Sequence, residues 1–376
     1  MPYSLSTLWY DRQRFLPGVL AVAFSSLLIA LQCGLLLGIF SITSIPIDHT
    51  RADIWMGAPE VLSVDLGQTI RGSHVGRLAV QPEVVRAEPF MQGFSYWSKP
   101  GGGRELCMVI GSHLKPDSLG RVDALSPDML KQLDIPGNIV VDESDLERLG
   151  INGIGATAEI SNQRVRVIGL THGLKSLAGP YVFCSLDTAR SLLGGKLTGQ
   201  TDQITYVLGK CKDPEDAPRV VARMREQYQD VSTFTSNEFS FKSRMHWLTK
   251  TKAGIALGYA ALLGLLVGAV VTNQTLYAAV VASLREFAVL RALGIPRWRI
   301  AGLVLAQSFW VGLFGVTIGW VGSHAARYVA TNMGASVSLP WELQIGAAAI
   351  TLLTALVSGL IALRSLRLVE PAMLLH

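Results

Sequence analysis

Four long uncharged runs dominate the pattern of apolar and polar positions. The first covers Leu16 to Ile42, LPGVLAVAFSSLLIALQCGLLLGIFSI. The others run from Ala253 to about Ala282, from about Ile300 to Ser323 and from about Leu343 to Leu363, without Lys, Arg, Asp or Glu. At 1.5 Å per residue, a helix of roughly 20 apolar residues crosses the hydrocarbon core, and every run reaches that length. The first run also exceeds the roughly 7–15 apolar residues of a signal-peptide core, so it reads as an uncleaved anchor. The pattern predicts four transmembrane helices.

Between the first two runs the period changes. VLSVD (61–65), LCMVIG (106–111), NIVVD (138–142), ATAEIS (156–161), QRVRVIGL (163–170), PYVFC (180–184) and QITYVL (203–208) alternate or cluster as strands do, with Ser161-Asn162 as a hairpin turn. Helices are expected at Glu143–Leu149, Leu186–Leu193 and Pro214–Tyr228, the first capped by Asp142 or Ser144 and stopped by Gly150. The mixture predicts an α+β domain over residues 43–252, joined to the spans by stalks at His49–Met56 and Ser236–Lys252. The fold class expected is therefore membrane α-helical, four transmembrane helices with an inserted α+β extracytoplasmic domain. Its segments are 1–42 (an amphipathic start and span one), 43–252 (domain and stalks) and 253–376 (spans two to four and the tail).

Composition agrees: 49% of residues are apolar, 16% charged, and the mean hydropathy is +0.36, against roughly 25% charged residues in a soluble chain. The formal charge of +5 has a location. Thr43 to Lys252 carries 24 basic and 24 acidic residues, and the excess lies in nine arginines flanking the spans. Arg12 and Arg14 precede span one, Arg285, Arg291, Arg297 and Arg299 lie between spans two and three, and Arg364 and Arg367 follow span four. The loop from His324 to Glu342 has only Arg327. The positive-inside rule puts both termini and the second loop in the cytoplasm and residues 43–252 outside. Arginines beside apolar runs form no basic face, which argues against nucleic-acid binding.

The residues offer little chemistry. No GxxxxGK[ST], HExxH or GxSxG occurs, and Gly194-Gly195-Lys196 reads as a loop after a helix. Gly101-Gly102-Gly103 reads as a flexible turn. Asp142, Glu143, Asp145 and Glu147 read as a solvated helix face rather than a metal site. Cys107 and Cys184 read as buried strand residues, and Cys33, Cys107, Cys184 and Cys211 show no metal-ligand spacing. No catalytic residue, cofactor site or metal site is expected. Within the spans, Gly34 and Gly38, Gly264 and Gly268, and Gly315 and Gly319 are spaced four apart, as are Gly254 and Gly258. Such spacing lets helix backbones approach closely. Gln32, Asn273, Gln274 and Gln307 are the polar residues there, read as interhelical hydrogen bonders.

One stretch is more specific: SLREFAVLRALGIPRWRI, residues 283–300. It reads as a short helix ended by Gly294 in the left-handed cap, with Pro296 starting the next helix and Trp298 and Arg299 as interfacial anchors. REFAVLRALG matches the R-E-[IF]-A-x-L-[RK]-A-[LI]-G signature, so the chain resembles the FtsX-like/MacB-type ABC transporter permeases. One N-terminal span, a large outside domain, three C-terminal spans and the ending LRSLRLVEPAMLLH agree along essentially the whole chain. HTRADIWMGAPEVLSVDLG resembles the DevC-type subgroup.

The resemblance implies a permease half in the inner (plasma) membrane that pairs with a second copy or related permease and with a cytoplasmic ATPase dimer. ATP is then expected on the partner. Arg285, Glu286, Ala288, Leu290, Arg291, Ala292, Leu293 and Gly294 carry over as the ATPase-docking segment. The resemblance further implies export by mechanotransmission, with a periplasmic adaptor and an outer-membrane channel. Two other readings stay open: a lipoprotein-extracting subunit of the LolC/LolE kind, and an FtsX-like regulator of a cell-wall hydrolase.

Overall fold

A computed structural model of the chain describes residues 12–176, 178–194, 202–282, 289, 293–332 and 337–368. Two compact units emerge, divided between Ile39 and Phe40 and between Thr251 and Lys252. The first helix, α1 (Arg12–Ile42), leads from the membrane-type unit towards the second.

The second unit opens with α2 (Ile45–Asp48) and β1 (Ile54–Gly57), followed by β2 (Ile70–Arg71), α3 (His74–Ala79), β3 (Val84–Ser98) and β4 (Arg104–Ser112). It continues with α4 (Pro127–Leu133), β5 (Asn138–Asp142), α5 (Leu146–Leu149), β6 (Thr157–Ile160), β7 (Gln163–Thr171), β8 (Tyr181–Ser185) and α6 (Leu186–Leu193). It ends with β9 (Gln203–Ile204), β10 (Tyr206–Cys211), α7 (Ala217–Gln227), β11 (Ser232–Thr235) and α8 (Ser236–Lys250). Nine strands form one mixed sheet in the order β11-β1-β10-β3-β4-β8-β5-β7-β6, and β6 returns to pair with β3. Strands β3, β4, β8, β5, β7 and β6 thereby close into a ring, which removes their edges. Its interior holds Trp97, Cys107, Val109, Ile139, Val141, Val165 and Val182, all essentially inaccessible. The Trp97 indole N–H donates to the Leu149 carbonyl at 3.1 Å, which meets the need of a buried indole for a partner.

A second core lies beside the open part of the sheet. Trp55 stands edge-on to Phe90 and Tyr206 at 5.3 and 5.4 Å between ring centroids, and Phe239 of α8 packs on Tyr206 at 5.7 Å. The segments expected as stalks therefore take part in the domain. Ile54, Trp55 and Met56 are wholly buried in β1, between β11 and β10. Helix α8 is pinned to α2: Ser240 Oγ donates to Asp48 at 2.7 Å, and Arg244 Nε donates to Ser44 Oγ at 2.8 Å.

Other expectations need correction. VLSVD is no strand; Val64–Leu66 is a 3-10 turn, because the Tyr206 hydroxyl donates to the Val64 carbonyl at 2.7 Å and Ser243 Oγ accepts the Val64 amide at 3.0 Å. QITYVL splits into β9 and β10 at Thr205, whose hydroxyl exchanges hydrogen bonds with the Gln92 backbone at 2.9 and 3.0 Å. Glu143–Leu149 is a 3-10 turn followed by the single turn α5, with Asp142 as cap and Gly150 left-handed at φ +67°. Pro214–Tyr228 likewise begins as a 3-10 turn before α7. The Ser161-Asn162 hairpin does form, with both residues at positive φ, +50° and +64°, as a type I′ turn requires.

The first unit adds α9 (Lys252–Ala282), α10 (Arg297–Asn332) and α11 (Trp341–Leu368) to α1. Four helices among the described residues are long and apolar enough to cross a membrane. The third runs on past Ser323 to Asn332, where a loop was expected, because SHAARYVATN is free of Gly and Pro and rich in helix-forming Ala.

Candidate functional site

Most of the proposed docking segment, namely Arg285, Glu286, Ala288, Leu290, Arg291 and Ala292, lies outside the described residues. Its end is described. The Leu293 amide donates to the Val289 carbonyl at 3.1 Å, the four-residue step of a helix. Gly294 follows at φ +86°, a conformation costly for residues with a Cβ. The Arg299 amide donates to the Pro296 carbonyl at 3.0 Å as α10 opens. Val289, Leu293 and Trp298 are exposed at 54%, 74% and 70%, and the Arg299 guanidinium lies 5.2 Å from the Trp298 ring centroid.

The glycines of the spans lie at close approaches. A Cβ built on Gly315 would stand 2.5 Å from Val22 Cγ1 and 3.1 Å from the Ala23 amide; one on Gly319 would stand 2.8 Å from the Ala23 carbonyl oxygen. Gly264 faces Leu28 and Gln32, Gly268 faces Ser25, and Gly34 faces Leu339 and the Ser338 carbonyl. The Ser338 amide donates to the Gly34 carbonyl at 3.0 Å. Gly38 lies buried one turn further along α1, whereas Gly258 meets nothing within 4 Å.

Hydroxyls, which the sequence reading passed over, link α1 to α9. Ser25 Oγ donates to the Gly268 carbonyl at 3.0 Å and accepts from Thr272 Oγ1 at 3.2 Å. The signal for them was Ser25-Ser26 within an otherwise aliphatic run. Gln32 packs its stem on Gly264, Gln307 is buried, and Asn273 Oδ1 is buried with no partner among the described residues. The Trp320 indole and Gln344 join α10 to α11.

The acidic cluster is not wholly a solvated face. Asp142 is fully buried and accepts from Ser144 Oγ, Thr171 Oγ1 and the Leu174 amide at 2.6, 3.2 and 2.8 Å. Asp145 is 8% exposed, and its own burial, then the Asp142 charge, push its pKa up to about 6. Glu143 and Glu147 are exposed. The cluster caps a turn and holds the Thr171–Leu174 segment. No three His, Cys, Asp or Glu side chains group as metal ligands among the described residues. Cys107, Cys184 and Cys211 are buried, and no disulfide joins them among the described residues.

The chain thus holds a helical membrane unit and a closed-ring α+β domain. The MacB-like periplasmic core domain profile matches residues 19–227, and the FtsX-like permease C-terminal profile matches residues 258–371. An uncharacterized ABC transporter permease of Methanocaldococcus jannaschii is 25% identical over 230 residues, covering 56% of this chain and 55% of the relative. The chain thus spans about half the length of that curated relative. Among solved structures, the periplasmic region of MacB from Actinobacillus actinomycetemcomitans is similar at 16% identity and TM-score 0.34, over 51% of this chain and 92% of that one. The extracellular domain of the noncanonic ABC-type transporter YknZ from Gram-positive bacteria is similar at 11% identity and TM-score 0.34, over 48% of this chain and 99% of that one. With one profile covering more than half of the chain and the other its C-terminal spans, this protein belongs to the MacB/FtsX-type family of ABC transporter permeases.

Proposed function

We propose that the chain is the membrane half of an export system, driven by a separate ATPase that docks on residues 285–294 from the cytoplasm. The observation that carries this reading is the exposed pair Val289 and Leu293. Four residues apart, they share one helix face, and left-handed Gly294 ends that helix between two membrane helices. Water alone gives no reason for such an exposed apolar pair in a stretch whose sequence also carries Arg285, Glu286 and Arg291, and a groove on a partner does. ATP binds and is hydrolysed on that partner, and this chain supplies no catalytic group. Two permease copies, or two related permeases, sit in the inner membrane with both termini inside and residues 43–252 outside. ATPase closure is transmitted to the outer domain through α1 and through α8 and α9, which follow one another in the chain with only extended Thr251 between them. The resemblance to the DevC-type subgroup adds a periplasmic adaptor and an outer-membrane channel as partners.

The test is co-expression of the chain with candidate ABC ATPase subunits, scored by co-purification and by assembly-dependent ATP hydrolysis. Two apolar anchors, each contributing more than about 1 kcal/mol, make Leu290→Ala with Leu293→Ala cost roughly thirtyfold in ATPase affinity. Glu286→Arg acts chiefly through charge and responds to salt. The control pair Val80→Ala with Val85→Ala removes side chains 81% and 69% exposed on the α+β domain and leaves association unchanged. Retention of the ATPase by the 290/293 variant at wild-type level overturns the docking assignment.

A further inference from the structure

A polar cleft of about 350 Å³ opens in the α+β domain, lined by the β2–β9 ribbon, α3 and the turn before β11. That volume lies at the lower end of the roughly 300–1,000 Å³ of small-molecule sites. Two guanidiniums, Arg71 and Arg77, line it against one carboxylate, Asp230. The Asp202 carboxylate stands beside Gly72, outside the lining. Arg71 is exposed and makes no ion pair among the described residues.

Arg77 is already oriented. Its Nη1 donates to both Asp230 oxygens at 2.9 and 2.8 Å, and its guanidinium lies 4.6 Å from the Tyr228 ring centroid. Asp230 takes only Nη1, and among the described residues no other acceptor takes the parallel Nε and Nη2 donors. That edge is the fork that matches a carboxylate or phosphate with two hydrogen bonds. His74, also in the lining, is 6% exposed, and its Nδ1 is buried with no partner among the described residues. Burial, then the charge of Arg77, hold its pKa down, with Arg71 acting the same way and Asp230 opposing. The imidazole therefore adds no charge near neutral pH, and the lining keeps one uncompensated positive charge. Ser73 and Gln203 add polar groups at the rim.

We propose that this cleft binds a small oxyanion, a carboxylate or phosphate group, with Arg77 as the pre-oriented fork and Arg71 as the second cation. The site lies wholly within one unit of the chain and does not depend on the docking segment or on orientation in the membrane. Equilibrium dialysis of the detergent-solubilised full chain against labelled inorganic phosphate, and separately labelled lactate, at constant ionic strength, tests it. One saturable site per chain is expected for at least one anion; phosphate alone assigns a phosphate group, and lactate alone a carboxylate. Arg71→Gln and Arg77→Gln each weaken binding about tenfold or more, the loss expected for a charge-assisted contact. Arg71 is exposed, so its variant keeps the fold. Arg219→Gln, which removes a cation paired with Asp216 at 3.3 Å outside the cleft, leaves binding unchanged. The proposal is overturned if neither anion saturates, or if the Arg71 and Arg77 variants bind as well as wild type.

Discussion

Asp65 sits on the 3-10 turn Val64–Leu66 with 6% of its surface exposed, and its Oδ1 accepts from Gln92 Nε2 at 3.3 Å. No cation pairs with it among the described residues. Burial raises its pKa from the ordinary 3.8 to about 7, against the smaller opposing effects of Trp247 and Gln92. Tyr181 and Tyr206 also face it, and both have their pKa raised by burial first and by Asp65 next. Between pH 4 and 7 the folded chain thus holds a proton that the unfolded chain releases. This contribution is largest below the unfolded value and is lost as pH rises to about 7, with a ceiling on the order of 4 kcal/mol. Asp145 acts with the same sign. His74 and His246, whose pKa values burial lowers, act with the opposite sign as pH falls through 6.5. A difference measurement isolates Asp65: Asp65→Asn keeps the acceptor oxygen and cannot ionise. Urea-unfolding midpoints of the two chains should converge near pH 4 and diverge by pH 7.5, with the variant the more stable. Parallel profiles would mean that Asp65 ionises in the folded state as readily as in the unfolded one.

At the level of elements, the close approaches in the membrane unit make separable predictions. Gly315→Ala and Gly319→Ala each force a methyl into the backbone of α1 at Ala23, and overpacking of this kind costs about 1–3 kcal/mol. Gly258→Ala and Gly346→Ala enter open space and should stay within about 1 kcal/mol of wild type, gaining helix propensity if anything. Detergent-denaturation midpoints of the four variants decide it, and equal losses at all four would remove the packing argument. The same elements mark what was legible. The spans were, because apolar length is a local property. Strands β4, β5, β7 and β8 were, because their alternation or apolar clustering is also local. The 15-residue β3 was missed because Arg86, Glu88, Pro89 and Gly93 interrupt its pattern. Its polar members are answered only by distant residues, as when Glu88 Oε2 accepts from Ser118 Oγ at 2.5 Å and the Leu119 amide at 2.9 Å. Four-residue β1, between β11 and β10, was too short to carry a period. In the candidate site, Gly294 and its αL turn could be read from the residue type alone, whereas the cleft sets Arg71, His74 and Arg77 against Gln203 and Asp230, which lie too far away in sequence to form a motif with them.

At the scale of the whole molecule, the distribution of charge bears on which side of the membrane each segment faces. The α+β unit is electrically balanced, so nothing in its net charge opposes translocation, while the arginines concentrate in the N-terminal segment, the 283–299 loop and the tail. Short-loop arginines are retained on the cytoplasmic side, which orients all four spans at once because they alternate. Single cysteines on a background with Cys33, Cys107, Cys184 and Cys211 replaced put this to the test. Asp128 and Glu215 are exposed positions on the α+β domain, and Trp298 is exposed at the start of α10. A membrane-impermeant maleimide added to intact cells should label Asp128→Cys and Glu215→Cys, and should label Trp298→Cys only after the membrane is opened. The permeabilised sample separates protection by the membrane from burial in the protein. Labelling of Trp298→Cys in intact cells, with Asp128→Cys protected, would reverse the orientation. The 285–294 segment would then face away from any ATP, and the docking proposal would fall with it, while the oxyanion cleft would stand.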